Sequence, residues 1–160
     1  MKIRPAQISD EVAVTDIFLD VLREGETFAL PRDSTRKDAR EFWFAEGNHV
    51  YVCEDEDKIC GSYYIRANQD GGGAHVANGG YIVDESARGK GIGRAMAEHS
   101  LGESKTRGFR AMQFNFVIST NEAAVKLWRD LGFEAVGTLP EAFQHPTRGF
   151  VDALVMFRKL

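Results

Sequence analysis

Arg88-Gly89-Lys90-Gly91-Ile92-Gly93-Arg94 follows the apolar run Gly80-Tyr81-Ile82-Val83 and precedes a stretch able to form a helix. It reads as a strand, a tight glycine-rich loop and a helix N-terminus in immediate succession. Glycines there let the backbone turn and let a ligand approach the amides closely, while the first helical N–H groups and the positive end of the helix dipole face an anion. The segment has the makings of a phosphate cradle. It lacks the Gly-x-x-x-x-Gly-Lys-Ser/Thr spacing of a P-loop and also lacks Gly-x-Gly-x-x-Gly, which disfavours a nucleotide triphosphatase or a dinucleotide enzyme. A plain glycine turn at a helix start is the competing reading, and the flanking sequence decides between them.

Upstream, residues 2–8 predict a short strand, and Ser9 or Asp10 can cap a helix carrying Val14, Ile17, Phe18, Val21 and Leu22, closed by Gly25. A second helix is predicted from Ser34 or Thr35 to about Ala45, ending in Phe42-Trp43-Phe44. Three adjacent aromatics cannot all face one core, so one or two are expected to wall a cleft or an interface. Runs 49–53 and 58–65 predict a hairpin around the acidic turn Glu54-Asp55-Glu56-Asp57. The glycine-rich 68–75 is read as loop, and Val76 to Asp84 as the strand that delivers the chain to Arg88.

Downstream, the helix is expected to reach about Arg107, with His99 as a packing residue. Residues 111–117 alternate as a strand, and Asn121 can cap a last helix bearing Ala124, Leu127, Trp128 and Leu131, closed by Gly132. Residues 133–137 and 151–157 predict two further strands joined by a loop through Pro140 and Pro146. The order β-α-α-β-β-β-α-β-α-β-β implies an α+β fold, a mixed but mostly antiparallel sheet with helices on both faces.

With 160 residues the chain is read as one domain, residues 1–160, able to bury its own core. A formal net charge of −4 gives no general electrostatic reason to bind nucleic acid or an anionic membrane, which leaves a small-molecule partner. The charged N-terminus has no apolar leader and no run is long enough to span a bilayer, so a cytoplasmic location is expected. Cys53 and Cys60 stand in no metal or redox spacing and are read as buried free thiols, and no metal is expected.

Arg88-x-x-Gly91-x-Gly93 resembles the pyrophosphate loop of the GNAT superfamily of acyl-CoA-dependent N-acetyltransferases, and Asn121-x-x-Ala124-x-x-Leu127-Trp128-x-x-x-Gly132-Phe133 resembles that superfamily's second signature. The element order is similar along the whole chain. The resemblance implies strands 4 and 5 splayed into a V, with the pantetheine arm of acetyl-CoA lying along the backbone near Ile82 and Val83. It implies pyrophosphate on the amides of Gly89, Gly91, Ile92, Gly93 and Arg94, with Arg88 beside them, and Asn121 holding the arm from the other side. A homodimer is common in the superfamily and is the assembly the resemblance allows.

A closer similarity is visible to microbial acetyltransferases of azetidine-2-carboxylate and related proline analogues, carried by residues 78–83, 114–117, 139–143 and 151–153. It implies that Asn78 and Asn115 hold a substrate carboxylate, and amide N–H₂ groups can do so without adding charge. Phe44 is the aromatic expected beside them. Many GNAT enzymes carry a tyrosine acid where this chain has Trp128. Either another donor substitutes, Tyr81 being the candidate, or the CoA thiolate leaves unaided. Asp84 and Glu85 lie near the loop and read as solvated turn residues.

The sequence therefore predicts acetyl transfer from acetyl-CoA to the amine of a small molecule, an amino acid or analogue. Two alternatives stand beside it: acetylation of a protein N-terminus or lysine, and a non-catalytic acyl-CoA sensor, which the loss of the tyrosine keeps open.

Overall fold

A computed structural model describes residues 1–160 and forms β1 (Lys2–Pro5), α1 (Glu11–Glu24), α2 (Arg36–Trp43), β2 (His49–Asp55), β3 (Lys58–Ala67), β4 (Val76–Val83), α3 (Ile92–Thr106), β5 (Ala111–Ile118), α4 (Glu122–Asp130), β6 (Glu134–His145) and β7 (Gly149–Lys159). One seven-stranded sheet runs β1-β2-β3-β4-β5-β7-β6. Every neighbouring pair is antiparallel except β4–β5, which is parallel.

Strand alternation sorts the core into two layers. Tyr51, Cys53, Tyr63, Ile65 and Ala77 face α3 and α4, packing with Met96, Phe114, Trp128 and Phe133. Their sequence neighbours Val52, Tyr64 and Ile82 face α1 and α2, packing with Phe18, Leu22 and Trp43. Each large side chain buried this way contributes roughly 1.5–3 kcal/mol, so both helix pairs are held by apolar area. Within the second layer the indole of Trp43 donates to Ser62 Oγ (2.9 Å), which donates to the Tyr51 carbonyl (2.8 Å), while the buried Thr15 hydroxyl has no partner.

Helix ends follow the local chemistry. Thr35 and Asp38 form a reciprocal capping box at α2. Gly25 closes α1 at φ +71°, where an added Cβ would lie 2.6 Å from the Arg32 side chain. That side chain has a task of its own. The Arg32 guanidinium donates to the Arg23 carbonyl (2.9 and 2.7 Å), while Arg23 donates back to the carbonyls of Arg32 (2.5 Å) and Ser34 (2.9 Å). This exchange braces the α1–α2 connection that will roof the site.

Several boundaries differ from the sequence reading: β2 runs to Asp55, so the acidic hairpin turn narrows to Glu56-Asp57, and α2 ends at Trp43. The first strand stops at Pro5, where the chain turns into a 3-10 turn at Ile8–Asp10. The triple glycine forms a 3-10 turn, Gly71–Gly73, inside its loop. Most significantly, Pro140 lies within β6, and the loop joining the last two strands shrinks to Pro146–Arg148. Proline is tolerated there because β6 is the sheet edge and its register breaks between Leu139 and Phe143. At that bulge Glu141 adopts φ +50° and its N–H donates to the Asp152 carboxylate (2.9 Å).

Candidate active site

The site begins where the parallel pair comes apart. β4 and β5 pair only at Val76↔Ala111 and Ala77↔Met112. Past those residues β4 pairs only with β3, as far as Val83, and β5 only with β7. The inner edge of each strand therefore carries peptide groups free to bind an extended ligand, as one more strand would.

At the far end of β4 the chain makes a 3-10 turn over Glu85–Ala87 and enters the glycine loop. Gly89 and Gly91 stand at φ +77° and +78°, and Gly91 is the N-cap of α3 with no side chain capping it. The first turn of α3 contains no acidic residue. A Cβ added at Gly89, Gly91 or Gly93 would meet nothing within 4 Å, so these positions border open space on the side an anion would approach. Of the loop's cations, Arg88 is paired with Glu24 (2.6 Å) and Arg94 with Asp130 (3.0 Å), whereas Lys90 makes no ion pair.

Deeper in the gap lies a cavity of about 260 Å³. Its walls come from β4 (Asn78, Gly79, Gly80, Tyr81) and β5 (Phe114, Asn115, Phe116, Val117). One end is closed by Tyr81, Phe114, Ala124 and Trp128 of the α3/α4 layer, and the other by Phe28, Phe42 and Tyr64 of the α1/α2 layer. The cavity thus crosses the sheet through the splay, joining the two faces. No Asp, Glu, Lys, Arg or His lines it.

Glycines in β4 make room for its aromatic wall. A Cβ at Gly80 would come within 2.6 Å of the Tyr64 ring and 3.1 Å of its hydroxyl. The ring is wedged edge-on against Phe42 and Trp43, and its hydroxyl makes no hydrogen bond within the chain, while burial pushes its pKa up.

The predicted asparagines converge. Asn78 on β4 and Asn115 on β5 both donate through Nδ2 to one atom, Asn68 Oδ1, at 3.1 and 2.7 Å. Asn121 caps α4, its Oδ1 accepting from the Ala124 N–H (3.3 Å), and lines the cavity from the opposite wall. Ile82 and Val83 lie on the open stretch of β4, Ile82 buried in the α1/α2 layer and Val83 packed against the other.

Two expected residues stand elsewhere. Phe44 does not line the cavity: α2 ends at Trp43, Phe44 is its C-cap, and Phe42 with Phe28 supplies the aromatic wall. Tyr81 lends its ring to the cavity, but its hydroxyl is bonded to Ser100 Oγ on α3 (2.8 Å) and lies against Met112 Sδ (3.7 Å), with burial raising its pKa well above the usual phenol value. Such a group is a poor proton donor.

The remaining candidates are occupied structurally. Asp84 accepts from Ser86, which holds its carboxyl below the ordinary range and makes it a weak base. His99 Nδ1 shares a hydrogen bond with the Tyr63 hydroxyl (2.6 Å). Both cysteines are buried: Cys60 Sγ donates to the Cys53 carbonyl (3.2 Å), and burial with the neighbouring thiol pushes Cys53 up to about 12, which makes Cys53 a poor nucleophile. No group of His, Cys, Asp and Glu side chains is arranged to hold a metal ion.

Phe28, Tyr64 and Asn68 were not singled out from sequence. Only Asn68 had a local signal, a lone polar residue between a strand and a glycine loop, and turn chemistry explains that equally well.

This architecture is shared with known proteins. A GCN5-related N-acetyltransferase from Kribbella flavida superposes with a TM-score of 0.94 at 40% identity, over 99% of this chain and 97% of that one. N-acetyltransferase aca1 of Schizosaccharomyces pombe is 30% identical over 148 residues, 82% of this chain and 71% of that protein. A phosphinothricin acetyltransferase from Sinorhizobium meliloti, solved in complex with acetyl-CoA, shares the fold at a TM-score of 0.87 and 23% identity, over 99% of this chain and 88% of that one. Residues 14–133 match the model of the acetyltransferase (GNAT) family, and the chain belongs to that family.

Proposed function

We propose that the protein transfers acetyl from acetyl-CoA to the amine of a small carboxylate-bearing acceptor, an amino or imino acid, within a ternary complex. One observation carries the reading: a small cavity crosses the sheet from the donor gap to a cluster of amide donors, and no charged side chain lines it. A lysine or cationic peptide acceptor would call for carboxylates, and this cavity has no acidic lining.

Pyrophosphate would rest on the amides of Gly89, Gly91, Ile92, Gly93 and Arg94, with Arg88 and Lys90 beside it. The pantetheine arm would run along the open edge of β4 at Ile82 and Val83, with Asn121 across from it. Asn78 and Asn115 would hold the carboxylate and thereby aim the amine at the thioester.

The acceptor must reach the carbonyl as a neutral amine, and with no ionisable base in the cavity its extra proton leaves through water before attack. The nitrogen then bonds to the acetyl carbon and becomes cationic, a β4 amide near Ile82 or Val83 steadies the oxyanion, and the C–S bond breaks as that nitrogen gives a proton to water. Sulfur departs as thiolate, whose modest basicity needs no strong acid. Positioning therefore supplies most of the rate.

The test is CoA release from acetyl-CoA across free amino acids, imino acids and short peptides, followed by Asn115→Ala. Turnover on a small amino or imino acid is expected. In the variant, KM for that acceptor should rise roughly 10-fold or more, the cost of a lost hydrogen bond to a charged group, with KM for acetyl-CoA unchanged. Equal changes in both constants would remove Asn115 from the acceptor site, and tight acetyl-CoA binding without release on any amine would replace the enzyme reading with a sensor.

A further inference from the structure

We infer that Asn68 is the positioning residue that carries the orientation of Asn78 across to Asn115, so that both offer an N–H at the cavity wall and favour an acceptor carrying an anionic oxygen group; this rests on the carboxylate reading above.

An asparagine amide has a donor face and an acceptor face of nearly the same shape, so two asparagines in a cavity do not by themselves select an anion. Here the ambiguity is resolved from a fixed point. Asn78 Oδ1 accepts the backbone N–H of Gly79 (2.6 Å), a donor that cannot be reversed. Asn78 must then present Nδ2 to Asn68, which obliges Asn68 to answer with its oxygen (3.1 Å). The same oxygen, 2.7 Å from Asn115, obliges Asn115 to present Nδ2 as well, and the Asn115 oxygen accepts from Gln113 Nε2 (2.9 Å). Each of these two oxygens thereby has a donor already and is turned toward it. Each amide keeps one N–H, so the pair retains two donors.

Position reinforces the argument. The strand pairing of β4 and β5 ends at Ala77↔Met112, one residue before Asn78, so the Asn68 side chain ties the two strands together just where their backbones part. Asn68 is itself pinned by its N–H to the Val76 carbonyl (2.8 Å). It does not line the cavity; it borders the outer depression with Arg66 and Gln69. It acts through its neighbours and does not touch the acceptor.

The experiment compares an imino acid with the same cyclic amine lacking its carboxylate, as acceptors for the full-length protein. The wild type should favour the imino acid in kcat/KM. Asn68→Ala leaves Asn78 set by the Gly79 N–H but frees the Asn115 amide to rotate, and should raise KM for the imino acid roughly 10-fold or more while kcat, KM for acetyl-CoA and kcat/KM for the carboxylate-free amine stay within about 2-fold. Asn68→Asp keeps an oxygen for both amides, so the fold at this junction is preserved, but sets a negative charge behind the pair; it should lose the imino acid selectively too.

Equal loss on both amines in both variants would assign Asn68 a purely structural role and overturn the inference. So would a preference for the imino acid that survives both substitutions. A wild type that does not distinguish the two amines would overturn the carboxylate reading itself, whatever Asn68 does.

Discussion

Gly89–Gly93 and the wall formed by Phe28, Phe42, Tyr64 and the asparagines lie at opposite ends of one gap, and they are built from different materials. The loop presents backbone: positive φ, an uncapped helix start and open space where side chains would be. The wall presents side chains gathered from the α1–α2 connection, α2, β3, β4 and β5. Backbone amides are the same in any sequence that permits the turn, so the donor end tolerates little variation. A side-chain wall can be exchanged residue by residue, which is how one donor site can serve many acceptors.

The largest effect is expected where backbone is the binding group. Gly91→Val places a β-branched residue at φ +78° and its methyls in the space where pyrophosphate would rest. Acetyl-CoA affinity by calorimetry should fall by roughly 100-fold or more, the strain of the turn adding to the loss of anion contacts. A Cβ there meets nothing within 4 Å, so circular dichroism should show an intact fold. Unchanged affinity would break the contrast at its stronger end.

A smaller and more local effect is expected at the wall. Gly80→Ala puts a methyl 2.6 Å from the Tyr64 ring, which Phe42 and Trp43 flank edge-on and which would have to shift into the cavity it lines. Overpacking of this kind costs about 1–3 kcal/mol, and the displaced ring should raise KM for the acceptor more than KM for acetyl-CoA. If Gly80→Ala impaired both equally, the two ends would share one scaffold and could not be varied separately.

The same difference explains what could be read from sequence. Gly25, Thr35, Asn121 and Gly132 mark helix ends by local chemistry, and the glycine loop is a contiguous string, so the element order and the loop's place before α3 are legible. A two-turn helix gives too little periodicity to fix which of Phe42 and Phe44 faces the cavity, and the end of α2 at Trp43 puts Phe42 there. Pro140 concealed the length of β6 because edge position and a bulge are tertiary facts. Phe28 and Asn68 matter only through partners far away in the chain, and no local pattern announces that.

Side chains titrate and backbone amides do not, so acid should distinguish the two layers. Arg4 grips Asp10 at 2.7 and 3.0 Å just before α1 and, with the Gln7 N–H, holds its carboxyl below the ordinary value of 3.8. A depressed carboxylate stabilises the folded state fully above that value, and the contribution fades as pH falls below it. Hydrogen exchange should therefore show α1 losing protection before α3 as the pH is taken down through 3.8, and Asp10→Asn should abolish the difference. Loss of both helices together would mean that the layers unfold as one unit.

The smallest effect is expected at Trp128, where the two ends meet. Its ring packs at a tilt against Phe114 (4.4 Å between centroids) and Tyr81 (4.9 Å), closing the cavity on the α3/α4 side. If the thiolate leaves unaided, Trp128→Phe removes only the indole N–H and some packing, and kcat should change by less than about 3-fold, under 1 kcal/mol in the barrier. Trp128→Tyr should gain equally little. A fall of 100-fold in the phenylalanine variant, restored by tyrosine, would show that the thiolate does take a hydrogen bond from this position. The acceptor end would then control where the amine stands but not how fast sulfur departs, and the division between a fixed backbone end and an exchangeable side-chain end would have to be redrawn at this residue.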